Sequence, residues 1–114
     1  MGSINRSAVI LRAKSPCLEW QASVSDFSIE DLLKFSSSQE PVVYLVRENE
    51  DSHEAVIKKE WSHLFESELF GWVTDETMWP QDRNLRMFRA WFEIEVFLLV
   101  VNQVEGPVYD SEDV

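Results

Sequence analysis

At 114 residues with 45% apolar side chains, the chain is long enough for one domain with its own core, needing neither disulfide nor metal. Its formal net charge of −11 disfavours phosphate backbones and anionic bilayers, which argues against nucleic-acid and membrane partners. Cys17 is the single cysteine, which excludes an intramolecular disulfide and points to a reducing, cytoplasmic setting.

The first expected element is a strand over Ser7–Ala13, apolar on both faces and hence interior to a sheet. The apolar run Ala8–Leu11 within it, followed by Arg12 and Lys14, is too short for a signal-peptide core. Lys14-Ser15-Pro16 should end the strand and open a helix, with Ser15 as its cap and Leu18, Trp20 and Val24 on its apolar side. Ser28 and Asp31 have capping-box spacing, so a second helix is expected there, burying Ile29, Leu32, Leu33 and Phe35 or Ser36. Residues 36–40 read as a polar loop. Pro41–Arg47 is β-branched and aromatic and predicts a second strand.

Residues 48–76 hold nine acids against Lys58 and Lys59, beginning with an acidic turn in which Asp51 and Glu54 have N-cap and N3 spacing. The strongest helical signal follows, over Ser52–Phe70. Ile57, Trp61, Leu64, Phe65, Leu69 and Trp72 share one face of a 3.6-residue period, and Gly71 stands where a C-cap belongs. After a Trp-rich turn, a short helix beginning at Asp82, which can cap it, and running to about Trp91 would bury Leu85, Phe88, Trp91 and Phe92. The last expected strand, Phe92–Gln103, sets Phe92, Ile94, Val96, Leu98 and Val100 on one face and Glu93, Glu95, Phe97, Leu99 and Val101 on the other. Its apolar stretch from Ile94 to Val101, interrupted by Glu95, falls far short of the ~18 residues of a spanning helix. Gly106-Pro107 turns the chain, Val108-Tyr109 could add an edge strand, and the acidic tail 103–114 is expected to fray.

This order predicts an α+β fold, or alternatively α/β. The expected architecture is a single two-layer domain over 1–114 whose three- or four-stranded sheet carries helices mainly on one face.

Across most of its length the sequence resembles a family of small, acidic bacterial proteins with no assigned activity. The resemblance is carried by Asn5-Arg6-Ser7-Ala8, Lys14 with Pro16 and Trp20, Pro41 before Val43-Tyr44-Leu45, Trp61, Phe65-Glu66, Glu68-Leu69 and Gly71-Trp72. It continues through Thr74-Asp75-Glu76, Trp79-Pro80 with Asp82-Arg83, Met87-Phe88-Arg89 and Trp91-Phe92. Trp79-Pro80-x-Asp82-Arg83 is its most specific string, while Leu98–Asn102 is more aliphatic than the pattern. The resemblance implies a bacterial, cytoplasmic protein and carries over no activity, cofactor or catalytic residue.

The residues themselves contain no recognisable catalytic, cofactor or metal motif. His53 and His63 lack a second His or Cys at i, i+4 and read as structural, and Cys17 reads as a buried, inert thiol. Arg83, Arg86 and Arg89 recur every three residues as the basic stripe of an acidic chain, flanked by Trp72 and Trp79. Their bland reading is internal pairing with the acidic helix 52–70 or with Asp75-Glu76; their sharper reading is a docking surface for an acidic partner or an anion, since Trp and Arg dominate binding hot spots. Three functions follow from these residues. The first is a non-enzymatic protein-binding or adaptor module using Trp72, Trp79, Asp82, Arg83, Arg86 and Arg89. The second is a small-molecule binder or enzyme with Trp72, Trp79, Asp82 and Arg83 around one pocket whose acids are Glu93 and Glu95. The third is an acidic mimic of nucleic acid using the carboxylates of 48–68. Phe97, Leu99 and Val101 would form an exposed apolar face on the last strand, which predicts a homodimer built there.

Overall fold

The computed structural model describes residues 2–3, 6–38, 41–48 and 52–102. The proposed cap Asp51, the Val108-Tyr109 edge strand and the acidic tail lie outside the described residues.

In chain order the elements are β1 (Gly2–Ser3), β2 (Arg6–Ala13), α1 (Ser15–Ser23), α2 (Ile29–Ser38) and β3 (Val43–Arg47). They continue with α3 (His53–Phe70), a 3-10 turn (Glu76–Met78), α4 (Leu85–Trp91), β4 (Phe92–Phe97) and β5 (Val101–Asn102). The fold is α+β, as expected: a three-stranded antiparallel sheet in the order β3-β2-β4, packed on one face by helices. β2 is central because both of its edges are paired, Arg6 to Ile10 with Arg47 to Val43 and Ala8 to Ala13 with Phe97 to Phe92. Strand periodicity then sorts the side chains. Val9, Leu11, Tyr44, Val46, Phe92, Ile94 and Val96 belong to the helix-covered face, and Ala8, Ile10, Val43, Leu45, Glu93, Glu95 and Phe97 to the other.

The core is aromatic at its centre. Phe65, fully buried on α3, has ring centroids 5.6 Å from Phe88, 5.3 Å from Trp91 and 5.7 Å from Phe92, the last edge-on. Trp91 continues the cluster to Trp20 at 6.0 Å. The long-helix face predicted from its period holds for Ile57, Leu64, Phe65 and Leu69, with Val56 added; Trp61 is half-buried and Trp72 lies beyond the helix, largely outside the core.

Several local expectations are corrected. The cap of α1 is Lys14 rather than Ser15, and it makes no side-chain cap bond. The Lys14 N–H is instead committed to Trp91 O at 2.7 Å, fastening α1 to the end of α4. Ser28 and Asp31 do form the reciprocal box that opens α2, and Leu32 is buried as expected. Ile29, Leu33 and Phe35 stand exposed, because α2 packs on α1 rather than flat on the sheet. The helix also runs through Ser38, into what reads as loop. α3 is capped by Ser52, whose hydroxyl accepts from the Ala55 N–H. α4 starts three residues later than Asp82, capped by Asn84 through the Met87 N–H at 2.8 Å. The final strand is two strands: β4 ends at Phe97, and β5 leaves the main sheet to pair with Gly2 and Ser3.

Candidate functional site

The Trp-rich turn is built inward. Trp79 is only 6% exposed and joins the hydrophobic core. Its indole N–H donates to Val73 O at 2.8 Å, while the Asp75 carboxylate accepts from the Thr77 N–H and orders the turn. Arg83 lies with its guanidinium 5.6 Å from the Trp79 ring, donates to Pro80 O at 2.7 Å and pairs with Glu66 at 3.5 Å. Arg89 pairs with Glu54, another acid of α3. The stripe therefore follows its bland reading at Arg83 and Arg89; Arg86 and Asp82 are exposed. Trp79 as a surface anchor is corrected: six residues of turn wrap back so that the indole fills the core and caps a carbonyl.

The pocket expected around Trp72, Trp79, Asp82, Arg83, Glu93 and Glu95 does not assemble. Glu93 and Glu95 point away from the helices, across from Arg12, which is opposite Glu93 in register and ion-paired to Glu95. They share the side of the sheet with Phe97, as expected, but that side is remote from Trp79, whose ring is in the helix-covered core.

A cleft lies elsewhere on the covered side. It has a volume of about 590 Å³, within the ordinary range of small-molecule sites, and opens between the α1–α2 pair, the ends of β2 and β3, and the C-terminal end of α3. Leu11, Leu18 and Leu32 supply apolar walls, Phe27 and Phe35 one side of the mouth, and Trp72 another. Trp72 is the one residue of the predicted pocket that reaches it. Arg12, Gln21 and Ser67 line it as well, and in its wall the Tyr44 hydroxyl donates to Glu68 Oε2. Burial raises the Glu68 carboxyl above its ordinary value, partly offset by the Tyr44 hydrogen bond. Burial, then the hydrogen bond to Glu68 and its charge, raise Tyr44 as well, so the phenol stays protonated.

Behind this wall sits Cys17. Its thiol is pushed up to about 12, first by burial and then by the charge of Glu68, against the lowering effect of the hydrogen bond from Gln21. A thiol so protonated at neutral pH is no nucleophile. His53 and His63 are exposed on α3, and among the described residues no three His, Cys, Asp or Glu side chains converge as a metal site. Among those residues, too, no helix is long and apolar enough to cross a membrane.

Sequence reasoning missed Tyr44 and Glu68. They are 24 residues apart, one on a strand and one on a helix, and nothing local joins them. Two signals were available: parity, by which Tyr44 alternates with Val43 and Leu45 and shares a face with Val46, and helical spacing, which sets Glu68 four residues after Leu64 and three after Phe65 on the buried face of α3. No protein-family model, curated protein or solved structure matches the chain.

Proposed function

We propose that the chain is a small-molecule-binding protein of the cytoplasm whose site is the cleft beside Tyr44 and Glu68. The observation that carries this reading is the hydrogen-bonded Tyr44–Glu68 pair set beside the apolar walls of Leu11, Leu18 and Leu32 in a cleft that Arg12, Gln21 and Ser67 also line. A site of this kind takes an apolar body and orients it by one polar group. Glu68 accepts from Tyr44 and has no proton to give once ionised, so it favours a ligand head that donates hydrogen bonds and carries positive charge. The net charge of −11 acts in the same direction at long range. The ligand class is therefore an alkyl or aryl amine rather than a fatty acid. The reducing setting rests on Cys17, buried and single. With Trp79 buried, the adaptor reading keeps Trp72 as its exposed aromatic.

Calorimetric titration with octylamine and with octanoate tests the reading. Octylamine is expected to bind at least tenfold more tightly, and Glu68→Gln to remove that preference while leaving the fold intact. Equal affinity for the two probes, or binding of neither, refutes it.

A further inference from the structure

Among the described residues, four aromatic side chains line the cleft beside Glu68, and three of them are no part of the hydrophobic core. Phe27 lies between α1 and α2, Phe35 on α2, Tyr44 on β3 and Trp72 just past α3, so separate segments bring their rings to one place. Phe27, Phe35 and Trp72 are 44%, 40% and 37% exposed, so each keeps surface that a ligand can cover. The Phe27 and Phe35 rings stand 5.2 Å apart at 88° to one another. Two rings at a right angle form a corner rather than a flat wall.

Aliphatic walls alone would hold an apolar ligand. What rings add is a face of negative potential, which attracts cations. Among the described residues that line the cleft, Glu68 is the one carboxylate and Arg12 the one base. Arg12 alternates with Leu11 along β2, and its guanidinium is paired with Glu95 on the other side of the sheet. A cation entering the cleft therefore meets ring faces and a single carboxylate.

That single carboxylate limits how many N–H groups the cation can use. Glu68 accepts from Tyr44, and an ionised carboxylate has acceptor sites to spare for a charge-assisted bond from a ligand N–H. A primary ammonium has three N–H groups, and those turned toward the rings lose water without gaining an acceptor. Methyl groups in their place make apolar contact with the rings, while a remaining N–H stays on Glu68. A quaternary ammonium suits the rings but has no N–H left to donate.

We infer that the cleft selects N-methylated amines, the protonated tertiary amine above all, with its N–H on Glu68 and its methyl groups against Phe27, Phe35 and Trp72. This inference rests on the amine-binding reading above and narrows its ligand class.

Three probes with the same octyl chain test it: octylamine, N,N-dimethyloctylamine and octyltrimethylammonium, all cations at neutral pH, each titrated calorimetrically into the full chain. N,N-dimethyloctylamine is expected to bind about fivefold more tightly than octylamine and about threefold more tightly than octyltrimethylammonium. Trp72→Leu and Phe27→Leu, both at exposed positions and with unchanged circular dichroism, should each reduce the preference for the dimethyl over the primary amine to less than about twofold, because leucine keeps apolar area and removes the ring face. Glu68→Gln should erase the preference for the dimethyl over the trimethyl probe. Octylamine binding with no gain on dimethylation overturns the inference and leaves the amine site standing. Octyltrimethylammonium binding most tightly overturns it as well, since no N–H on Glu68 is then selected. So does a dimethyl preference that survives both leucine substitutions, which apolar area alone explains. If none of the three probes binds, the amine reading of the cleft fails and this inference fails with it.

Discussion

Trp79→Ala separates a core residue from a docking residue. The side chain is 6% exposed, and truncating a buried aromatic to alanine costs about 3–5 kcal/mol through lost transfer energy and the cavity left behind. The indole N–H bond to Val73 O, 2.8 Å long, is worth about 1 kcal/mol net. The Arg83 guanidinium, 5.6 Å from the ring, adds about 0.5–1 kcal/mol at a partly exposed site. The truncation range already contains part of both, so the expected total is about 4 kcal/mol. For a chain of this length that corresponds to a fall in Tm of roughly 16 °C. Trp79→Phe keeps most of the apolar body and forfeits the donor, at about 1–2 kcal/mol. Urea denaturation followed by far-UV circular dichroism, which does not depend on the lost fluorophore, measures both. A surface anchor would change stability by less than about 0.5 kcal/mol, and finding Trp79→Ala within that margin would refute its placement in the core.

Two further outcomes bear on helix capping and on the cleft. Asn84→Ala should cost about 1 kcal/mol by removing the cap of α4, whereas Asp82→Ala, outside the helix, should stay within about 0.5 kcal/mol; the reverse order in urea denaturation would restore Asp82 as the cap. Burial raises the Glu68 carboxyl above its ordinary 4.5, so the folded chain holds that proton more tightly than the unfolded chain does. The stability this contributes is complete below 4.5 and is lost as the pH rises through the folded value. Wild-type stability measured relative to Glu68→Gln should therefore decline from acid toward neutral pH and then level off, and a flat difference would contradict a buried carboxyl.

What the sequence determined by itself was whatever its neighbours within a few residues decide. The face of α3 through Ile57, Leu64, Phe65 and Leu69 is written in a 3.6-residue period, and the Ser28–Asp31 box in a three-residue spacing. Alternation placed Phe92, Ile94 and Val96 opposite Glu93, Glu95 and Phe97, and β4 keeps that division. These are properties of a helix or strand before it meets anything else.

Tertiary structure decided what each apolar side chain meets. Ile29, Leu33 and Phe35 repeat as convincingly as the buried positions of α3, yet they stay exposed because α2 packs chiefly on α1. Trp79 has the composition of a hot spot, and only the return of the turn onto the rest of the fold makes it core. The cap of α4 shifted from Asp82 to Asn84 for a related reason: Arg83, held against Trp79 and Pro80 O, keeps the chain in its turn until residue 84. Tyr44 and Glu68 meet because β3 pairs with β2 while α3 crosses the same face, a coincidence of two long-range packings that no local pattern records. Local rules select conformations available to a short segment, whereas burial is a property of a pair of surfaces, and the second surface is absent until the chain has folded.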